Sequence, residues 1–525
     1  MERNLTRHRT LHWFRKGLRL HDNRPLLAAI RSSEAVYCVY CLDLEWMRAN
    51  ERIGNNRIRF LLESLTDLDE NLRKIGTRLF VLRGNARTAI KTFCREYEIT
   101  QMTYMRDAEV FYRQLEAEIL EEVNRREIVT RSDHGHTLYD PQEIIDANEG
   151  QVPLSLDEFY SVIPSLDVPA LPAPTVTAEM FKSCSVRIEE NHQAIYGVPT
   201  MASLGLECPR AHTRWPGGET VALERLKYKM KQNTLYEFNQ GPSTSKAANH
   251  EYEIPGTSEP WFETQPETTG LSPYINLGSI SPRTFWHGAK NCSEKMRTTV
   301  QGQMIYREFF YTVAYTVNNF TRIEGNRICK DIKWSDPKTN ERAAEWIEKF
   351  KQGMTGYPWI DAAVRQMKTE GWITHISRFS LASFLTVGQM WCSWEVGQQL
   401  FEEFLLDADY ALNAGNFLWV TGSAFANQIP VKALDPVKLA RKWDTHGSFI
   451  RRYCPELKNL PTQYICAPWK APQDVQLKAR AIIGVDYPAP MLNAATMRIQ
   501  NLNKIKAHNQ QIRPESDSER DSESP

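Results

Sequence analysis

Two carboxylates and an amide lie close together in an apolar stretch of the chain. Asp407, Asp409 and Asn413 occur within LLDADYALNAGNFLWV. An unpaired carboxylate buried among apolar side chains costs several kcal/mol or loses its charge, so partners are expected. Arg378, in an amphipathic segment, is the candidate counter-ion, because a bidentate Arg378–Asp407 pair would make both burials tolerable. The spacing leaves equally open that both aspartates only cap the start of a helix.

Two further segments suit an anionic, heteroaromatic ligand. TTGLSPYINLGSIS combines hydroxyls and glycines around a Pro-aromatic turn, a composition typical of backbone that approaches an anion. GQMIYREFFY places Gln303 and Arg307 four residues apart on one helical face, beside Tyr306. Together with the aspartates, these groups predict a ligand that has a phosphate end and a polar heteroaromatic end.

Composition narrows the class of protein. A chain of 525 residues with 42% hydrophobic content is long enough for two or three domains. Lys plus Arg equals Asp plus Glu at 64 each, so any nucleic-acid contact must come from a local patch. The ten cysteines lack the spacing of a zinc site or a disulfide framework, which predicts no metal. No apolar run approaches the about eighteen residues of a membrane span, which predicts a soluble intracellular protein of the nucleus, the cytoplasm or both.

The first part of the chain alternates short apolar runs with helical periodicity, which predicts an α/β domain over residues 1–135 with a doubly wound parallel sheet. Between the second and third runs, leucines repeat at intervals of three and four residues, and Gly76 is placed to end that helix. The predicted strands are LHWF (11–14), AVYCVYCL (35–42), RLFVL (78–82), ITQMTYM (99–105) and REIVT (126–130).

After residue 135 the composition of the chain indicates first a connector, then a helical domain and a tail. Prolines gather over residues 136–215, which predicts a connector laid over the surface. Helical periodicity without strands then predicts a larger all-α domain over residues 216–508, interrupted by an exposed loop at 238–270. The acidic, Ser-rich residues 509–525 are predicted to be a disordered tail. Neither nucleotide-binding glycine fingerprint follows the first strand, so the sheet itself lacks a phosphate cradle.

Seven motifs in this order resemble the cryptochrome/photolyase family. The likeness extends from about residue 10 to 505 and is greatest to animal cryptochromes and (6-4) photolyases. The motifs are WFRKGLRLHDNRPLL, RWPGGET, TTGLSPY, YREFFY, GYPWIDAAVRQMKTEGW, LLDADYALNAGN and the late series IRRYCPEL, APWKAP and IIGVDYP.

The resemblance implies an N-terminal antenna-type domain and a helical domain that holds FAD, and it leaves a second antenna chromophore unidentified. Asn413 would lie near flavin N5, where a neutral amide can hydrogen-bond but cannot take a proton as an aspartate could. The positions that match the family's flavin contacts are Thr268, Thr269, Leu271 and Ser272 at the phosphates, Gln303 and Arg307 nearby, and Arg378, Asp407, Asp409 and Asn413 around the isoalloxazine ring.

The family usually carries an electron to photoexcited flavin along three tryptophans. Trp394 and Trp334 match the middle and outer members, and Trp391 offers an extra outer one. The proximal position is Phe417, whose ring is far harder to oxidise, although the change also conserves packing. Photoreduction is therefore expected to be slow or to use another route, through Trp419, Tyr306 or Tyr410.

The resemblance to (6-4) photolyases also implies two histidines beside the lesion. His375 matches the first, but Phe379 stands at the second position, and loss of a general acid commonly costs about two to four decades in rate. Repair of (6-4) lesions is therefore not expected. Splitting of cyclobutane dimers stays open because Trp419 would wall the pocket, although Gln303 and Tyr306 depart from the residues of dimer photolyases.

Two functions therefore compete. The preferred hypothesis is a signalling cryptochrome whose partners are clock or signalling proteins, and the alternative is a photolyase that binds damaged duplex DNA. A weaker third is a member of the family with lowered flavin affinity, suggested by the 238–270 insertion. No membrane partner and no oligomeric state is assigned. Six basic residues in the last hundred positions form either a basic rim at the pocket mouth or only a solvated face. They are Lys432, Lys438, Arg441, Lys442, Arg451 and Arg452.

Overall fold

A five-stranded parallel sheet forms the N-terminal part of the protein. The structure, a computed structural model, describes residues 7–209, 215–232, 269–425 and 431–512. The strand order is β3-β2-β1-β4-β5, so the chain starts in the middle of the sheet and winds outward in both directions. The predicted doubly wound sheet is confirmed. Its strands are β1 (His8–Phe14), β2 (Ser33–Leu42), β3 (Leu79–Arg83), β4 (Gln101–Arg106) and β5 (Val129–His134).

Helices connect these strands and bury their apolar faces on the sheet. The longest of these helices buries the leucines of the repeat that predicted it. Gly76 follows this helix with φ of +88°, a conformation that glycine adopts without strain. The fifth strand begins at Val129, later than predicted, because the chain first turns at Glu127, whose φ is +57°. The helices are α1 (Arg24–Ser32), α2 (Leu44–Asn50), α3 (Asn55–Lys74), α4 (Ala86–Glu96) and α5 (Val110–Asn124).

The segment that links the sheet to the helical part contributes to both hydrophobic cores. Phe159 packs in the core of the helical part, whereas Phe181 packs against one face of the sheet. The expectation of a connector laid over the surface is wrong for these residues. Its helices have only four to seven residues, too few for an apolar period to be recognised. They are α6 (Pro141–Ala147), α7 (Leu156–Val162), α8 (Ala178–Phe181) and α9 (His192–Tyr196).

The regular elements in the remaining described residues are helices, as predicted. The last helix extends to Ile512, so the prediction of disorder from residue 509 is wrong for residues 509–512, while residues 513–525 and most of the 238–270 loop lie outside the described residues. Within the described ranges, no helix is long and apolar enough to cross a membrane. The helices are α10 (Glu219–Gln232), α11 (Ser272–Leu277), α12 (Pro282–Gly288), α13 (Glu294–Thr316), α14 (Glu341–Gln352), α15 (Pro358–Glu370), α16 (His375–Ser383), α17 (Trp394–Phe404), α18 (Tyr410–Thr421), α19 (Pro436–Trp443), α20 (Ser448–Tyr453), α21 (Thr462–Ile465), α22 (Gln473–Ala479) and α23 (Ala494–Ile512).

A buried ion pair joins the sheet to the helical part. Asp22, just before α1, accepts from Nε of Arg283 on α12 at 2.9 Å and from Nη2 at 3.3 Å. Both side chains are almost fully buried, and the Ser281 hydroxyl also donates to Asp22. Burial by itself raises the pKa of Asp22, but Arg283 and Arg19 outweigh it and hold the pKa below its ordinary value. The carboxylate is therefore ionised and tied to a helix far away in sequence.

We predict that Asp22→Ala lowers the free energy of unfolding by about 3–5 kcal/mol, because Arg283 would remain buried without its partner. Urea unfolding measures this change. Asp474→Ala is the control, since Asp474 lies 3.8 Å from Lys478 in an exposed pair, which contributes about 0–1 kcal/mol. The contribution of Asp22 is present above its unfolded pKa of about 3.9 and is lost as the pH falls through the lower folded value. Equal unfolding midpoints for the two variants would contradict the prediction.

Candidate functional site

Asp407 is paired with side chains from two helices. Nη2 of Arg378, on α16, donates to Oδ1 of Asp407 at 2.8 Å and to Oδ2 at 2.9 Å. The hydroxyl of Ser272, the first residue of α11, donates to Oδ2 at 2.6 Å. The structure thus contains the expected Arg378–Asp407 pair, although one guanidinium nitrogen serves both oxygens. The pair ties α11 and α16 to the turn that precedes α18.

Asp409 serves the other purpose considered from the sequence and caps a helix. Its Oδ1 accepts from the backbone N–H groups of Ala411 and Leu412, both at 3.1 Å, at the start of α18. Its Oδ2 accepts from the Tyr311 hydroxyl at 2.7 Å and lies 3.5 Å from Nη2 of Arg307. The side chain is buried, and both of its oxygens are used by protein donors.

Arg307 belongs to the same buried network. Its Nη1 donates to the carbonyl oxygen of His136 at 2.7 Å, and its Nη2 to His136 Nε2 at 2.8 Å. Burial, followed by the charge of Arg307, holds the pKa of His136 well below its usual value, so the imidazole is neutral. Because Nε2 accepts from Arg307, the ring proton lies on Nδ1. The expected place of Arg307 near the phosphates stays a prediction.

A second set of polar contacts joins α18 to α13 and α17. The Tyr306 hydroxyl lies 3.0 Å from Oδ1 of Asn416, and the Tyr306 ring is 5.8 Å from that of Trp419. Nδ2 of Asn413 donates to the carbonyl oxygen of Gln398 at 3.0 Å. No described residue donates to Oδ1 of Asn413, and this side chain is only half-buried. Asn413 therefore keeps an acceptor for another molecule.

Partly accessible polar side chains surround the Arg378–Asp407 pair in the helical part. We call the region around Ser272, His375, Arg378 and Asp407 the polar hollow. The side chains of Ser272 and His375 are exposed. The surrounding protein still desolvates the imidazole, and this desolvation, followed by the charge of Arg378, lowers the pKa of His375 to about 4. Phe379, one turn along α16, is half-buried and cannot donate a proton.

The aromatic residues of the expected electron path are buried, except for the half-buried Trp334. Phe417 is confined, since its ring centroid lies 5.1 Å from that of Phe401 and its edge meets the backbone at Gly397. Trp394 begins α17 and is fully buried. The rings of Trp334 and Trp391 are 4.7 Å apart. The structure thus brings the two outer tryptophans together.

The remaining expected ligand contacts are less defined. Thr268 lies outside the described residues, and Thr269 and Gln303 are half-buried. Leu271 is fully buried, so its side chain belongs to the core. These positions stay predictions.

Part of the expected basic rim is exposed. Lys438, Arg441 and Lys442 are exposed on α19. Arg451 instead donates to the carbonyl oxygens of Lys458 at 3.1 Å and of Leu460 at 2.8 Å, so it holds the local chain together. Arg452 lies 4.0 Å from Glu370. The exposed charge is therefore concentrated on α19.

Sequence reasoning missed two members of the buried network. Tyr311 lies four residues after Arg307 on α13, and this spacing within YREFFY places both on one face of the helix. That signal could have identified Tyr311. His136 lies 171 residues from Arg307, and no local pattern indicates its contact.

Two family models match the chain, one described as DNA photolyase over residues 10–175 and one described as FAD binding domain of DNA photolyase over residues 300–507. The chain is 39% identical to cryptochrome-2 of Gallus gallus over 511 residues. This alignment covers 96% of this chain and 84% of that protein. The chain belongs to the cryptochrome/photolyase family. It is also 39% identical to cryptochrome-1 of Mus musculus, over 96% of this chain and 80% of that protein. FAD is accordingly the cofactor of this cryptochrome/photolyase.

Solved structures share the fold of this family member. A class III photolyase from Agrobacterium tumefaciens superposes with a TM-score of 0.77 at 24% identity, over 97% of this chain and 99% of that chain. A cryptochrome from Synechocystis gives a TM-score of 0.78 at 24% identity, over 94% of this chain and 98% of that chain. Both parts of the predicted fold class, the parallel sheet and the larger helical part, are therefore confirmed.

We predict that His375 titrates near pH 4, well below the ordinary value of about 6.5, because enclosure and Arg378 disfavour its cation. Histidine-selective nitrogen-15 NMR measures the midpoint, and the spectrum of His375→Gln assigns the signal. Below about pH 6.5 the unfolded chain binds this proton more readily than the folded chain does. The free energy of unfolding is therefore unaffected by His375 above about pH 6.5 and falls as the pH decreases toward 4. A midpoint between about 6 and 7 would contradict the prediction.

Proposed function

We propose that this family member is a light-responsive signalling cryptochrome that binds FAD at the polar hollow and does not repair (6-4) lesions. When bound, FAD supplies an acceptor of single electrons under blue light. Clock or signalling proteins would be the partners of this function. The cryptochromes at 39% identity support the assignment.

The donors and acceptors around the hollow fit such a ligand. The side chain of Arg378 is 25% exposed, so its guanidinium can meet a ligand while it holds Asp407. The available acceptor of Asn413 suits a ring N–H, and an amide there accepts a hydrogen bond without taking the proton. We assign Arg378, Asp407 and Asn413 to the isoalloxazine ring. The phosphates would be bound by the segment that contains Thr268, Thr269, Leu271 and Ser272, with Gln303 nearby.

Two further residues, which were expected to contact the ligand, hold the helix that carries Asn413. Asp409 caps α18 and so fixes the helix that carries Asn413. Arg307 holds Asp409 from the opposite side. We therefore assign to this pair the positioning of α18, without direct contact to the ring.

One observation carries the choice of signalling over (6-4) repair. The side chain one turn after His375 on α16 is Phe379, which has no proton to give, and burial and the charge of Arg378 lower the pKa of His375. A neutral imidazole and a hydrocarbon do not form an acid pair that could protonate a lesion. The lost proton transfer is worth about two to four decades in rate.

Cyclobutane-dimer repair is the second candidate, because it needs an electron but no acid pair. The adjoining rings of Trp419 and Tyr306 could stack on a flipped base. The exposed Lys438, Arg441 and Lys442 on α19 would attract phosphates without regard to sequence. Damaged duplex DNA would be the partner of this function.

We predict that Asp407→Asn weakens FAD binding by roughly tenfold or more, about 1.4 kcal/mol, because Arg378 loses its charged partner. Titration of the apoprotein with FAD, followed by flavin fluorescence, measures the dissociation constant. Glu456→Gln is the matched control, because it weakens a partly buried pair with Arg365 at 2.7 Å elsewhere in the helical part. Equal affinities of the two variants, with unchanged thermal unfolding, would contradict the assignment of Asp407.

A light-dependent repair assay tests the proposed function. The purified protein, with chemically reduced FAD, receives each lesion type in turn under blue light and in darkness. We expect no lesion loss in either condition while flavin stays bound. Loss of cyclobutane dimers only in the light would establish the second candidate, and loss of (6-4) lesions would contradict the argument from His375 and Phe379.

A further inference from the structure

The phenol of Tyr311 is enclosed beside two groups that can take a proton. Its hydroxyl lies 2.7 Å from Oδ2 of Asp409 and 2.9 Å from Nε2 of His136, and the side chain is fully buried. His136 Nε2 already accepts from Arg307 at 2.8 Å. The lone pair of that nitrogen is thereby used, so the Tyr311 proton points to the Asp409 carboxylate.

This geometry suits a tyrosine that loses an electron. A phenol that is oxidised must release its proton, and in a dry interior only a positioned base can receive it. Burial raises the pKa of Tyr311 well above its ordinary value, so the phenol keeps its proton until an electron leaves. The Arg307 guanidinium lies 4.2 Å from the ring centroid and disfavours a positive charge on the ring. The electron and the proton therefore have to leave together.

We propose that Tyr311 gives the electron to photoexcited oxidised FAD in this protein and that Asp409 takes the proton. The step rests on the proposed function, which supplies FAD as the oxidant. The Tyr311 O–H bond breaks, an O–H bond forms on Oδ2 of Asp409, and FAD gains one electron. Tyr311 becomes a neutral radical and Asp409 a carboxylic acid, so atoms and electrons balance. In darkness the electron and the proton return.

Two of the other candidate aromatic residues are less suited. Phe417, at the proximal position of the tryptophan path, has a ring that is hard to oxidise. The Tyr410 ring packs on those of Phe111 and Phe320, and in the described part of the chain no carboxylate accepts from its hydroxyl.

Tyr311 also lies close to the wall of the polar hollow. Asp409 accepts its proton and donates its own backbone N–H to the carbonyl oxygen of Asp407 at 2.7 Å. Asp407 in turn contacts Ser272 and Arg378. A single hydrogen-bonded residue, Asp409, therefore separates Tyr311 from Asp407 at the hollow.

The test follows flavin-loaded protein under blue light by transient absorption and electron paramagnetic resonance. We expect a neutral tyrosyl radical, slower photoreduction in deuterium oxide, and a loss of roughly tenfold or more in rate for Tyr311→Phe. Tyr487→Phe is the matched control, because it removes another buried phenol that donates to a carboxylate, that of Asp361. This variant should photoreduce at the wild-type rate.

Two additions keep the outcome decisive. Phe417→Trp introduced into Tyr311→Phe should restore photoreduction with a tryptophan radical in place of the tyrosyl signal. If Tyr311→Phe does not fold, wild-type protein grown with ring-deuterated tyrosine replaces it, and the radical spectrum should narrow. A tryptophan radical in the wild type, or an unchanged rate in folded Tyr311→Phe, would overturn the proposal. Absence of bound flavin from the wild type would instead overturn the proposed function.

Discussion

The need to partner two carboxylates inside an apolar helical core governs the arrangement of the site. Asp407 is held by Arg378 and Ser272, and Asp409 by Tyr311 and the first turn of α18. Removing one partner of a buried charge costs about 3–5 kcal/mol, a large share of the stability of a domain. The two aspartates therefore fix α11, α13, α16 and α18 relative to one another. The contacts that satisfy their charges also shape the polar hollow.

The sequence predicted the long helices and strands and the buried charges that need a partner. Apolar strand runs and the leucine repeat of α3 are long enough to reveal their period, whereas the four-residue helix α8 is not. The partner of Asp407 was predictable because burial energy demands one. The role of Asp409 was not, since a cap and a ligand contact have the same spacing. The contact of His136 with Arg307 spans 171 residues, and only the folded chain brings the two together.

Membership of the family does not decide between signalling and repair, because both activities use the same flavin-binding architecture. The local electrostatics bear on one part of that choice, the repair of (6-4) lesions. The guanidinium that pairs with Asp407 is also the charge that helps to keep His375 neutral. The same permanent positive charge that holds the carboxylate disfavours the imidazolium. Acid catalysis at His375 therefore conflicts with the pairing of Asp407, and Phe379 offers no second acid to relieve that conflict.

The same pattern of charges occurs twice in the helical part. Arg378 pairs with Asp407 and disfavours the cation of His375, and Arg307 contacts Asp409 and disfavours the cation of His136. In each set the pKa of the imidazole is lowered, so the ring lacks the imidazolium proton that it would give as an acid near neutral pH. In the second set the carboxylate already accepts a phenolic hydrogen bond from Tyr311. Proton movement in this core is consequently directed from a phenol to a carboxylate, which suits a protein that exchanges electrons with its cofactor better than one that protonates a substrate.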